Sequence, residues 1–115
     1  MDISNPDITH MQIKLSKVYN LDYGTIHPLD GFVVTRVIDD GDQIWSSQDG
    51  EECTLVEHFM GDSASLLALR VENGLDVDFF SFEMDDVGWK SIDIGGFVER
   101  ISSMLDGVSV ESDDG

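Results

Sequence analysis

The chain has 115 residues, 41% of them apolar, and carries 24 acidic against 6 basic side chains, a formal charge of −18. This length and composition suffice for one domain with a buried core and exclude a disordered acidic tail. No apolar run is long enough for a transmembrane helix, and the negative charge disfavours binding to nucleic acid or anionic membranes. The first residues lack the cationic and apolar regions of a secretory signal. Because the single cysteine, Cys53, is typical of a reducing compartment, we expect a cytoplasmic protein.

The first predicted element is an amino-terminal helix. Asn5, Pro6 and Asp7 are favoured at the N-cap and in the first helical turn. The stretch at 24–28, which contains glycine and proline, interrupts the pattern that follows. The apolar residues at helical spacing are Ile8, Met11, Leu15, Val18 and Tyr19.

A β-hairpin is predicted next. Residues 32–38 are rich in β-branched side chains, and Asp40-Gly41 is a strong two-residue turn signal. The return strand then covers 43–47. In this register Arg36 faces Trp45, which suggests a cation–π pair, and Val37 faces Ile44.

The stretch 50–60 fits either a helix or a strand. Asp49 could cap a helix, with Glu52 completing a capping box and Gly61 ending it. In a strand, Glu57 interrupts the alternation of apolar residues. The pattern favours a helix by a narrow margin.

A second hairpin is predicted from Leu66 to Met84. A three-residue loop at 72–74 would pair Val71 with Leu75 and Arg70 with Asp76. This register keeps Asp76 and Asp78 out of the core.

The last predicted elements are a short strand at 89–92 and a helix capped by Asp93 and ending at Gly107. Its apolar stripe is Ile94, Phe97, Val98, Ile101 and Leu105. The predicted fold is therefore α+β: an antiparallel sheet of four or five strands, an N-terminal and a C-terminal helix, and a possible middle helix at 50–60. We expect a single domain at 1–107 and a short, mobile, acidic tail at 108–115.

The sequence contains no motif for catalysis, for a metal or for a cofactor. Asp40-Gly41-Asp42 resembles the start of a calcium loop, but Trp45 occupies the position that requires glycine. The three histidines lack zinc-ligand spacing, and no serine lies in a nucleophile elbow. We expect neither an enzyme nor a bound cofactor or metal.

The acidic residues concentrate between residues 37 and 93, where fifteen acids and two bases give −13. One interpretation is that they only keep the protein dissolved. The other is a partner-binding surface, since Asp76 and Asp78 on one strand face would be spaced like neighbouring phosphates. The candidate binding residues are Asp39, Asp40, Asp42, Asp49, Glu51, Glu52, Asp76, Asp78, Asp85 and Asp86, with Trp45, Phe80 and Trp89 as aromatic anchors.

The favoured function is an acidic inhibitor. It would occlude the basic nucleic-acid-binding surface of a partner enzyme, as nucleic-acid mimics of the anti-restriction, anti-CRISPR or nuclease-immunity type do. The alternative is a small dimeric adaptor or secretion-type chaperone that holds a client on its sheet. A monomer favours the first, and a dimer formed through Phe80 and Phe82 favours the second.

Overall fold

A computed structural model describes residues 1–18, 21–62 and 64–113, with side chains described as far as residue 105. Within these ranges the fold is mostly β, with one helix at the carboxyl-terminal side. The elements are β1 (Met11–Val18), β2 (Leu21–Pro28), β3 (Arg36–Asp39), β4 (Asp42–Ser46), β5 (Glu52–Met60), β6 (Ser65–Asn73), β7 (Asp76–Met84), β8 (Trp89–Ile92) and α1 (Ile94–Asp113).

Six strands form one antiparallel sheet in the order β1-β2-β5-β6-β7-β8, and β3 and β4 form a separate hairpin. This hairpin lies in the connection from β2 to β5. A bridge between Val34 and Cys53 joins its base to β5, with a Cys53 N–H to Val34 C=O hydrogen bond of 2.8 Å. The N-terminal segment joins it as well, because Ile3 donates to the Ile38 carbonyl at 2.9 Å.

The main core lies between the central strands and the β3–β4 hairpin. Leu67 and Leu69 of β6 and Val37 of β3 are fully buried. Each such aliphatic side chain stabilises the fold by about 2 kcal/mol through removal of apolar surface from water. The other buried members of the cluster are Ile26, Val34, Trp45, Cys53, Val56, Val71 and Phe82.

The helix α1 covers one end of the opposite sheet face. Phe97 packs edge-to-face on Phe59 with ring centroids 5.8 Å apart, and the Arg100 Nε lies 2.6 Å from a carboxylate oxygen of Glu83. Leu66, the cross-strand partner of both Phe59 and Glu83, is fully buried on this face. The predicted cap is confirmed, since the Asp93 carboxylate accepts the Gly96 N–H at 2.6 Å.

The predicted N-terminal helix is wrong. The Asp7 side chain accepts the Thr9 N–H at 3.0 Å and caps a single turn, after which the chain extends into β1. All eight residues of β1 pair with β2, which runs through the stretch expected to break the pattern. Gly24 lies opposite Leu15, where a Cβ would come within 3.1 Å of the leucine side chain. Tyr19, part of the predicted stripe, lies outside the described residues.

The predicted middle helix is also wrong, because residues 52–60 form β5 at the centre of the sheet. A register shift between Cys53 and Leu55 explains the misleading pattern. This bulge moves Val56 onto the core face with Cys53, and it places Glu57 on the opposite face.

The first hairpin has the predicted turn but a different register. Asp40 and Gly41 both have positive φ, 50° and 93°, as a two-residue turn requires. A bulge between Val37 and Ile38 shifts the pairing, so that Arg36 faces Ser46 and Val37 faces Trp45. The predicted pairs of Arg36 with Trp45 and of Val37 with Ile44 are therefore wrong.

The second hairpin is present, and its predicted register is wrong too. The turn is a two-residue loop, Gly74-Leu75, and Asn73 pairs with Asp76. Asp78 therefore faces Val71 and lies on the same sheet face as the core residues. Asp78 is nevertheless exposed, although Val71 opposite it is buried in the core cluster.

The strand at 89–92 is confirmed as β8, whereas α1 continues past Gly107 to Asp113. Ile94 and Val98 of its predicted apolar stripe are 66% and 55% exposed. The domain boundary at 107 and the mobile tail at 108–115 stay predictions, since side chains beyond 105 and residues 114–115 lie outside the described part. Among the described residues, no helix is long and apolar enough to span a membrane.

Candidate functional site

The ten candidate carboxylates are divided between two places in the fold. One group lies where β5 begins, β6 ends and β7 begins. The other combines the β7–β8 turn with the tip of the β3–β4 hairpin, which the hydrogen bond from Trp89 to Asp39 holds at that end. Over the nine residues of β6 the two ends are about 26 Å apart. We use "acidic hairpin end" for one group, which includes the unpredicted Glu72: Asp49, Glu51, Glu52, Glu72, Asp76 and Asp78. The second group is Asp39, Asp40, Asp42, Asp85 and Asp86.

The acidic hairpin end is built from the β6–β7 turn and the loop before β5. The Asn73 side chain donates to the Asp49 carbonyl at 3.4 Å, and it lies so close to Gly50 that a Cβ there would come within 2.8 Å. Within the loop, Glu51 accepts the Gln48 N–H at 2.8 Å. These contacts hold the two acidic segments together.

Most carboxylates of the acidic hairpin end have no cationic neighbour. Glu72 lies 3.3 Å from Arg70. Among the residues described with side chains, the other five carboxylates of this group form no ion pair. Asp76 and Asp78 are exposed and project from one strand face about 6.8 Å apart. A cationic surface brought here would meet unneutralised charge.

Two carboxylates of the second group, those of Asp39 and Asp85, make internal contacts that stabilise the fold instead. The Trp89 indole donates to Asp39 at 2.7 Å and ties the tip of the β3–β4 hairpin to β8. Asp85 accepts the Val87 N–H at 2.8 Å, which, with its other hydrogen bonds and the nearby Lys90, holds the pKa of Asp85 below its ordinary value. This group is therefore partly occupied by internal contacts.

The expected aromatic anchors are not at the exposed positions. Trp45 is only 9% exposed and belongs to the core, so its predicted exposure is wrong. Phe80 is half-buried against the core cluster, and Trp89 is half-buried with its indole nitrogen bonded. The exposed aromatic beside the acidic hairpin end is Phe79, at 65%. Gly74 as the first residue of a two-residue turn is the sequence signal that could have indicated it.

The buried titratable groups do not form a catalytic arrangement. Burial raises the pKa of the Cys53 thiol to about 11, which disfavours the nucleophilic thiolate. Burial also lowers the pKa of His58, whose ring lies 5.7 Å from that of Trp89. In the described ranges, no three His, Cys, Asp or Glu residues are grouped to hold a metal ion. The expectation that the protein is not an enzyme stays a prediction.

One half-buried pair, Tyr23 and Glu57, gives a prediction for high pH. The Tyr23 hydroxyl donates to Glu57 at 2.5 Å, and burial together with this carboxylate raises the pKa of Tyr23 to about 12. Because the folded pKa lies above the ordinary value of 10.0, this contribution to stability is complete below pH 10 and is lost between pH 10 and 12. Urea unfolding should show a steeper loss of stability over that window for the wild type than for Tyr23→Phe. Equal slopes would show that Tyr23 titrates normally.

Comparison with known protein families adds one finding. Residues 1–74 match the family described as FAINT, a domain of unknown function, DUF529. The chain belongs to this family. The FAINT match covers β1 to β6 and the β3–β4 hairpin, and it ends before β7, so Asp76 and Asp78 lie beyond it. No curated protein and no solved structure matches the chain.

Proposed function

We propose that this protein is an acidic inhibitor that binds through the acidic hairpin end to the basic nucleic-acid-binding surface of a partner enzyme. The observation that carries the proposal is the concentration of carboxylates without ion pairs at one end of the sheet. The strand β7 presents Asp76 and Asp78 at a spacing comparable to that of phosphates along a nucleic acid. Such a field accelerates the approach of a cationic partner.

The position of the apolar side chains agrees with this use of the surface. Phe79 and Val77, 65% and 47% exposed, lie on the same strand as the two aspartates but on its opposite face, so a partner bound along the strand edge would contact both pairs. Burial of an aromatic side chain at the centre of an interface supplies affinity, whereas the surrounding charges mainly set the association rate.

The alternative, a dimeric adaptor or chaperone, requires a dimer formed through Phe80 and Phe82, and these side chains are not exposed. Phe82 is only 7% exposed, and Phe80 packs against the core cluster under the β3–β4 hairpin. A dimer through these two side chains would require the hairpin to detach.

Charge removal at the two ends of the sheet tests the inhibitor proposal. The double variant Asp76→Asn/Asp78→Asn removes two carboxylates from the acidic hairpin end. Its matched control, Asp40→Asn/Asp42→Asn, removes two exposed carboxylates at the other end. The wild type and both variants are each immobilised and exposed to a low-salt lysate of the native host. The captured proteins are then eluted with salt and identified.

The expected partner is a nucleic-acid-binding enzyme that added DNA or RNA displaces from the immobilised protein. Its association with the Asp76/Asp78 variant should be slower by about threefold or more at low salt, and the difference should vanish at high salt. The control variant should change the rate less. Equal rates for both variants, or capture only of apolar clients that remain bound at high salt, would contradict the proposal.

A further inference from the structure

The strand β7 is paired on both sides over only part of its length. It runs from Asp76 to Met84, but β8 pairs only with Ser81–Met84. The stretch Asp76–Phe80 therefore forms a free sheet edge. Natural proteins usually shorten, cover or charge such an edge, because its backbone groups can pair with another chain.

The register shows which backbone groups are directed outward. In an antiparallel ladder, alternate residues exchange both hydrogen bonds with one neighbour, and the residues between them face the other side. Asn73 and Asp76 close the two-residue turn, so Val77 and Phe79 direct N–H and C=O away from β6. Ser81, the next residue in this alternation, pairs with β8.

The side chains of this edge define the chemistry of its occupant. Asp76 and Asp78 are exposed on one face of the strand, and Val77 and Phe79 are exposed on the other. A second β7 strand placed alongside would oppose carboxylate to carboxylate, which is unfavourable. A strand with basic residues on one face and apolar residues on the other complements the edge.

We propose that the free edge Asp76–Phe80 binds an extended segment of a partner protein as an additional β-strand, with basic side chains beside Asp76 and Asp78 and apolar side chains beside Val77 and Phe79. Backbone hydrogen bonds would supply affinity, and the alternating side chains would supply specificity. The inference rests on the proposed function for the identity of the partner, and it specifies how the acidic hairpin end holds that partner.

The probe is a short, end-blocked peptide of alternating valine and lysine, compared with a peptide of the same composition in which the lysines are grouped. At saturation, the alternating peptide should slow amide hydrogen exchange of Val77 and Phe79 by about tenfold or more. N-methylation of alternate peptide residues should weaken binding about tenfold when the methylated residues are those whose N–H groups face the edge. Methylation of the residues between them should weaken binding less.

A matched pair of variants tests the edge from the protein side. Val77→Pro removes an outward N–H without removing a hydrogen bond to β6, and Val77→Ala keeps that N–H. Peptide affinity should fall about tenfold for the proline variant and clearly less for the alanine variant. Urea unfolding establishes that both variants are folded, and the N-methylated peptides decide the question if the proline variant is not.

Several outcomes would overturn the inference. They are binding with no change in Val77 and Phe79 exchange, equal affinity for both peptides, or slowed exchange at the β1 edge instead. Concentration-dependent protection without peptide would identify a second copy as the occupant and also overturn it. If the peptide results hold but the Asp76/Asp78 variant associates normally with captured enzymes, the proposed function fails and the strand-binding edge stands. If the peptide results fail but the Asp76/Asp78 variant associates more slowly with captured enzymes, the strand-binding edge is rejected and the proposed function stands.

Discussion

Replacing Trp45 with alanine is expected to lower the free energy of unfolding by about 3–5 kcal/mol. Trp45 of β4 lies opposite the fully buried Val37. It is 9% exposed and packs in the core between the β3–β4 hairpin and the central strands. Truncation would remove the buried apolar surface of the indole and leave a cavity that the paired strands cannot close. Equilibrium urea unfolding followed by circular dichroism measures the change.

Phe79→Ala is the matched control for this prediction. It also removes an aromatic side chain, but from a position that is 65% exposed, and it should change stability by less than about 1 kcal/mol. Similar small losses in both variants would show that Trp45 is a surface residue, as the sequence pattern first indicated, and that the hairpin does not cover the core.

The second large effect concerns the reactivity of Cys53. Its side chain is 1% exposed and its thiol has a pKa of about 11 where 9.0 is ordinary. At pH 8 this pKa alone lowers the thiolate fraction roughly 100-fold, and burial restricts access further. A thiol reagent such as a chromogenic aromatic disulfide should therefore react with Cys53 at least about 100-fold more slowly in the folded protein than in the protein unfolded in urea.

The reaction also reports on the β3–β4 hairpin, because Val34 of the hairpin base bridges to Cys53. Labelling requires this segment to open. Trp45→Ala should therefore accelerate labelling at neutral pH without urea, and Phe79→Ala should not. Fast labelling of the folded wild type would contradict the assigned burial of Cys53.

Local sequence signals proved reliable where one or two residues dictate the backbone. Asp40-Gly41 forms the predicted turn with both φ angles positive, and Asp93 caps the last helix as expected. Both features depend on the conformational preference or hydrogen bond of a single residue, which does not require knowledge of distant contacts.

Periodicity was misleading where the fold combines edge strands and bulges. In β1 only Met11 and Ile13 contact the core, while Leu15 is 78% exposed, so the strand has little of the alternation that a half-buried strand shows. In β5 the bulge after Cys53 inserts one residue and shifts the later apolar positions to the other face. Periodicity therefore predicts a helix in both segments, and both predictions are wrong.

The candidate site was predictable in its charge and not in its arrangement. The positions of the charged residues along the sequence show that the excess of acid lies in the middle of the chain, and this alone favours a cationic partner. The split into two ends depends on the strand order, and the use of Asp39 as an acceptor for Trp89 depends on a contact across 50 residues. The prediction of Trp45 as an anchor failed because its burial depends on where the hairpin packs.

The sequence by itself determined the net charge, the tight turn at Asp40-Gly41, the two strands between Leu66 and Met84 and the start of the last helix. These properties follow from composition or from preferences within a few residues. Only the tertiary structure decided which face each strand buries and which carboxylates remain without a cation. A shift of one residue in register exchanges the two faces of a strand, and the register depends on partners far away in the chain.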